Sequence, residues 1–221
     1  MDPEFWYERW ALGEIGFHRK TYHPALDAHW PANSPPASAI NVLVPLCGKT
    51  LDIHWLLAQG YFVTGVELDQ SAVEALFAEW PGGVSRKATS IKTAAELPIY
   101  QLDKLELVVG DFFEYAAKTK HMRFYDRAAL IALPIRMRPD YMAHFRQQLS
   151  DDAQGLLITY EYDQKQMVGP PFSVSHEELV RYSDLFDFEC CERTEVIERH
   201  SGMRARGLNS LFEVVYHVRA R

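Results

Sequence analysis

Leu46-Cys47-Gly48 and, roughly 20 positions further on, Glu67 have the residue types and spacing that bind a nucleoside. Gly48 carries no Cβ to keep a ligand off the backbone, and a helix starting after it offers its N-terminal amides. The carboxylate of Glu67 can accept from both hydroxyls of a ribose. Each feature also has a plain alternative: an ordinary strand-to-helix turn, and a solvated charge at a strand end. Asp111-Phe112 pairs a carboxylate with a ring that can meet an adenine, or Asp111 serves as a helix N-cap. In Asp126-Arg127 the arginine is either a cation for an anionic substrate atom or the ion-pair partner of its neighbour. Trp6 and Trp10 are four apart and share a helix face, where their rings either cover a cation or dock on the core. Covering a desolvated cation contributes of order 1–2 kcal/mol.

The turn lacks the glycines of G-x-G-x-x-G, with Pro45 and Leu46 in their place, so a pyrophosphate is a poor ligand. A nucleoside without phosphates needs the ribose carboxylate but fewer glycines. That favours S-adenosylmethionine over a nicotinamide dinucleotide. Cys47 before a helix, with His54 one face away, is a weaker candidate as a thiol nucleophile, because a small apolar turn residue explains it equally.

These residues must be positioned by alternating strands and helices. Helical patterns at Pro3–Leu12 and Tyr22–Trp30 form an N-terminal cap, 1–36, before the breaker-rich 31–36. Strand Ile40–Leu46, helix Thr50–Gln59, strand Tyr61–Leu68 and helix Ser71–Trp80 then imply right-handed crossovers and a parallel sheet. Pro81–Gln101 is less regular, with a strand expected near Val84–Ala88 and an insertion over Ala88–Leu97. The pattern resumes with strand Leu105–Val109, a strand near Arg123–Asp126, helix Met137–Leu149 and strand Gly155–Tyr162. Two β-rich runs, Phe188–Arg199 and Leu208–Arg219, joined by the basic stretch 201–207, suggest a hairpin at the sheet edge. In an open α/β sheet the ligand sits where strands end and their order reverses, and the four clusters fall at such ends. The expectation is one α/β domain over 1–221, with the core at 40–221.

At 221 residues with 48% hydrophobic content the chain can bury a sizeable core. A net charge of −7 suits a small-molecule partner and disfavours nucleic acid. Three cysteines without a metal-type pair, a charged N-terminal region and no apolar run near the roughly 20 residues of a membrane helix point to a cytosolic protein off the membrane. The adjacent Cys190 and Cys191 are expected to be buried thiols on opposite strand faces, and no metal site is expected.

Trp6-Tyr7-Glu8-Arg9-Trp10, Gly16-Phe17-His18, Val44-Pro45-Leu46-Cys47-Gly48-Lys49, Gly65-Val66-Glu67-Leu68, Asp126-Arg127-Ala128-Ala129-Leu130 and Gly169-Pro170-Pro171-Phe172, in this order, resemble the bacterial thiopurine S-methyltransferases over nearly the whole chain. The resemblance implies a Rossmann-like class I methyltransferase with a mostly parallel seven-stranded sheet whose last strand is antiparallel. It also implies a monomer that methylates thiols or heterocyclic sulfur, with selenium or tellurium compounds as further acceptors. By position, it places Trp10, Leu46, Glu67 and Arg127 around S-adenosylmethionine and its product S-adenosylhomocysteine, with Trp6, Phe17 and Phe112 nearby, and brings Arg199 to the acceptor. A thiolate is already a good nucleophile, so no strong general base is required. Positioning can supply about 7–11 kcal/mol, and a nearby cation such as Arg127 or Arg199 favours the thiolate. Gly169–Phe172 reads as a rigid loop over the acceptor pocket.

Overall fold

The computed structural model describes residues 3–15, 18–31, 39–80, 89–92 and 97–221. In chain order the helices are α1 (Pro3–Ala11), α2 (Ala25–His29), α3 (Asp52–Ala58), α4 (Gln70–Ala78), α5 (Ala129–Ala132), α6 (Arg138–Gln147), α7 (His176–Val180) and α8 (Ser201–Ala205). The strands are β1 (Asn41–Pro45), β2 (Phe62–Glu67), β3 (Thr89–Lys92), β4 (Pro98–Leu102), β5 (Leu105–Val109), β6 (His121–Asp126), β7 (Leu149–Glu161), β8 (Phe186–Glu195) and β9 (Phe212–Ala220). They form one nine-stranded sheet in the order β3-β4-β5-β2-β1-β6-β7-β9-β8.

Strands β5, β2, β1, β6 and β7 run parallel, while β9 inserts antiparallel between β7 and β8. The class I plan expected from the sequence is therefore present, with two strands more than the seven expected. The additions are β3 and β4, an antiparallel pair that extends the sheet beyond β5. They arise in the segment whose pattern was least regular. Its strand at Thr89–Lys92 replaces part of the expected insertion, and the expected strand at 84–88 lies outside the described residues.

Alternation along the strands builds the core on both faces. Leu43 and Leu157 join one apolar cluster, and their neighbours Val42, Val44, Leu156 and Ile158 join the other. The second cluster comes within contact of the turn after β1. A Cβ on Gly65 would lie 2.6 Å from Leu107 Cδ2 and 2.7 Å from Cys47 Sγ, so the absence of a side chain there is what lets Cys47 pack against β2.

Local boundaries moved where packing overrode pattern. The second helix is only Ala25–His29, since Pro24 already occupies its N-cap. The basic 201–207 stretch is not a tight turn: a 3-10 turn at Ile197–Arg199 and then α8 connect β8 to β9. Cys190 and Cys191 are both exposed, contrary to expectation. β8 is an edge strand, and a register shift between Cys190 and Glu192 breaks the alternation there.

Candidate active site

The chain runs β1, β2, β5 to one side of β1 and then crosses to β6 on the other, so the strand order reverses at β1. A cavity of about 850 Å³ opens over the carboxyl ends of these strands, within the range of cofactor and substrate sites. Among its lining residues are Trp6, Trp10, Leu46, Gly48, Glu67, Phe112, Arg127 and Arg199, eight of the nine candidates named from the sequence. The ninth, Phe17, lies outside the described residues.

At one end, β1 stops at Pro45 and the chain enters the left-handed region twice in three residues, at Leu46 (φ 47°) and Gly48 (φ 52°). Glycine takes that conformation freely; leucine does so at a cost of order 1–3 kcal/mol, a form of strain concentrated at ligand sites. Cys47 between them bonds through its N–H to Val66 O at 3.0 Å, which ties the turn to β2. Its thiol is buried and pushed well up by burial and by Glu67, so it is no nucleophile. His54 instead packs its ring on Trp80, 4.2 Å between centroids.

Glu67 ends β2 beside this turn. Its Oε2 accepts from Gly48 N at 2.7 Å and its Oε1 from Asp69 N at 2.9 Å. The side chain is 6% exposed, and burial pushes its carboxyl up to about 7 against these two bonds. A carboxylate has about four acceptor positions, so two remain for donors in the cavity. A carboxylate partly stripped of water and still short of donors suits a ligand with two adjacent hydroxyls. The turn and Glu67 thus fit a nucleoside.

Asp111 follows the capping alternative, accepting from Phe113 N at 2.9 Å. It starts a 3-10 turn that carries Phe112 into the cavity wall, with its ring against Tyr141 and Phe145. Helix α1 buries none of its residues. Tyr7 on it is pushed up by desolvation and by the carboxylates of Asp69, Glu4, Asp111 and Glu67, which places α1 over this end of the cavity.

Arg127 also lines the cavity, and its ion pair is not with Asp126. Asp126 accepts from Ala129 N, Leu130 N and Tyr141 Oη, so it caps α5 and is turned away. Arg127 Nε donates instead to Asp52 Oδ2 at 2.7 Å and Nη2 to Thr50 Oγ1 at 3.1 Å. Asp52 also accepts from His23 N at 2.7 Å and from Thr50 Oγ1 at 2.9 Å. Burial pushes the Asp52 carboxyl up, but the Arg127 guanidinium and these bonds together hold it below the usual range. Thr50 and Asp52 escaped the sequence reading because their partner comes from the end of β6.

Tyr160, the loop Gly169–Pro171, Arg199, His200, Met203 and Arg206 also line the cavity. His200 meets Tyr160 edge-on at 5.6 Å, and its imidazole is held below its usual value first by burial and then by Arg19 and Arg199 against the pull of Glu213. The proline loop is tethered from several sides. Phe172 N donates to Ile131 O at 2.7 Å, Tyr162 Oη to Pro171 O at 2.6 Å, and Arg138 Nη1 to Ser173 O at 3.1 Å. Arg199 lies in the 3-10 turn after β8 and not in the strand.

The family model "Thiopurine S-methyltransferase (TPMT)" matches residues 1–221. The chain belongs to this family. Named thiopurine S-methyltransferases of Pseudomonas fluorescens (strain Pf0-1) and Bordetella petrii are 40% and 41% identical to it, each over 99% of this chain and over 99% and 98% of their own lengths. In fold it resembles Burkholderia thailandensis 1,6-didemethyltoxoflavin-N1-methyltransferase, crystallised with its substrate and S-adenosylhomocysteine. That match has a TM-score of 0.56 and 16% identity, over 99% of this chain and 86% of the other. As a thiopurine S-methyltransferase family member, the chain is an S-adenosylmethionine-dependent methyltransferase of class I fold. Among the described residues, no helix is long and apolar enough to cross a membrane, and no group of His, Cys, Asp and Glu forms a metal site.

Proposed function

We propose that this methyltransferase acts on thiopurines and other aromatic or heterocyclic thiols, and on selenium or tellurium compounds of the same kind, by in-line transfer to a thiolate. The observation that carries this reading is one continuous cavity that joins the nucleoside-type turn and Glu67 to a wall bearing Arg127 and Arg199. Its relatives' names, at about 40% identity over full length, support the same acceptor class.

Glu67 would hold the ribose, Leu46 and Gly48 would offer backbone, and Trp6, Trp10, Phe17 and Phe112 would enclose the rest of the donor, with Arg127 beside it. S-adenosylmethionine, when bound, supplies an electrophilic methyl group on a sulfonium sulfur. The chain's part is to exclude water, align the acceptor and keep it ionised. Arg127, held by Asp52, and Arg199 are positive groups that lower the cost of an acceptor thiolate, whose proton passes to solvent. The same reading takes 1–221 as one domain, a cytoplasmic monomer with no nucleic-acid partner.

Calorimetric titration with S-adenosylmethionine, S-adenosylhomocysteine and NAD, followed by turnover of a thiol panel, tests the reading. Tight binding of NAD alone, or donor binding with no thiol turned over, would refute it. Two variants sharpen the test. Trp10→Ala is expected to raise the donor dissociation constant about tenfold while leaving the melting temperature nearly in place, because Trp10 lines the cavity, is only half-buried and belongs to a helix with no residue in the buried core. A collapse in melting temperature with normal donor binding would make Trp10 a packing residue. Arg199→Ala should lower kcat/KM by about tenfold or more for a thiol of pKa above about 8, and by much less for an aromatic thiol already ionised at pH near 7.5. Equal losses along the series would mean that Arg199 orients the acceptor without ionising it.

A further inference from the structure

The cations around the cavity are not evenly distributed. Arg9 is paired with Glu14, Lys49 with Glu79, and Arg127 with Asp52. Glu67 and Asp111 stand at the donor end. Arg19, Arg199 and Arg206 line the same cavity, and none of its lining carboxylates, Glu14, Glu67 and Asp111, bonds to their side chains: Glu14 is held by Arg9, while Glu67 and Asp111 accept from backbone N–H groups. Among the described residues the side chains of Arg19 and Arg199 have no hydrogen bond or ion pair, and that of Arg206 has one long contact, to the neutral carbonyl of Pro170 at 3.4 Å. The carboxylate nearest in effect is Glu213, which feels Arg19 but is already engaged by His23 at 3.1 Å and by Tyr160. This excess of positive charge occurs in a protein of net charge −7.

We infer that the preferred acceptor carries a fixed anionic substituent, such as a carboxylate, in addition to its thiolate, and that Arg19 and Arg206 select for it. The inference rests on the aromatic-thiol reading above and narrows it. A single thiolate neutralises one of three guanidinium groups, and a bound S-adenosylmethionine, whose sulfonium and ammonium together outweigh its one carboxylate, adds a net positive charge to the same cavity. A second negative group on the acceptor restores the balance. Guanidinium groups suit it, because their planar pairs of N–H donors match a carboxylate two bonds at a time. The three arginines come from separate segments, the stretch after α1, the 3-10 turn after β8 and the end of α8, so only the folded cavity assembles them.

The test compares 4-mercaptobenzoate with its neutral methyl ester as acceptors, at fixed pH and low salt. Each preparation is scored by the ratio of the two kcat/KM values, so its active fraction cancels. The native enzyme should favour the acid by about tenfold or more, and Arg19→Gln/Arg206→Gln should bring the ratio below about threefold. The preference should also shrink as salt is added. If both thiols are methylated at similar rates, the inference is overturned while the aromatic-thiol reading stands. A preference that survives in the double variant overturns the assignment to Arg19 and Arg206. If neither thiol is methylated by protein that binds S-adenosylhomocysteine, the reading itself fails and the inference falls with it.

Discussion

Asp52→Ala is expected to lower the unfolding free energy by about 3–5 kcal/mol, the usual result of removing one partner of a buried ion pair. Asp52 is 1% exposed, and it holds Arg127, Thr50 and the backbone of His23 at once. Its removal leaves the Arg127 guanidinium in the cavity wall without its counter-charge and His23 N without its acceptor. Urea titrations of Asp52→Ala, Arg127→Ala and the double variant give the coupling directly. The double variant should lose clearly less than the sum of the singles, since it leaves no orphaned charge. Additive losses, or a single-variant loss under about 1 kcal/mol, would show that the pair is solvated and weak. Because the folded Asp52 carboxyl titrates below its unfolded value of 3.8, its contribution is complete above about pH 4 and fades as the pH falls further.

The second large effect concerns the donor. Glu67→Gln should weaken S-adenosylhomocysteine binding by about 2–3 kcal/mol, or some 30- to 150-fold, through loss of charge-assisted acceptance from two hydroxyls. The amide also turns a donor toward either Gly48 N or Asp69 N, each of which now donates to the carboxylate. Native binding should depend on pH in a way the variant lacks. With the folded carboxyl at about 7 against 4.5 unfolded, ionising Glu67 opposes folding, so its favourable contribution is full below about pH 4.5 and is lost as the pH rises to 7. A ribose that donates to the carboxylate favours the ionised form. Binding below pH 7 must therefore release a proton, and affinity should rise with pH up to about 7 and then level. Calorimetry in buffers of different ionisation enthalpy detects that proton. A flat native profile, or a Glu67→Gln affinity equal to the native one, would remove Glu67 from the donor site.

The part of the cavity proposed to hold the donor was legible in the sequence because it is local. A strand, a glycine turn, a helix and a carboxylate at the end of the next strand lie within 27 residues, Asn41 to Glu67, and parallel pairing of β1 with β2 brings the carboxylate to the turn whatever the rest of the chain does. The alternation of strand and helix patterns likewise determined the parallel core, while the antiparallel last strand was what the family resemblance implied. Boundaries and the outer strands were less legible, since β4 is held by pairing to β5 and β3 by pairing to β4, and not by their own pattern.

The part of the cavity proposed to hold the acceptor was decided by tertiary structure. Arg127 follows Asp126 in the chain, yet capping of α5 turns Asp126 away, and the counter-charge comes from Asp52, 75 residues earlier. Cys190 and Cys191 are exposed because an edge strand bulges there, which alternation alone does not reveal. Arg19, Arg199 and Arg206 have no common spacing that would link them, and they share one cavity only because the stretch after α1 and the β8–β9 connection both border it. Residue types and short-range periodicity thus determined the sheet and its nucleoside-type turn, whereas the neighbours of each charge, set by contacts across the fold, decided which arginines are neutralised and which still face the cavity.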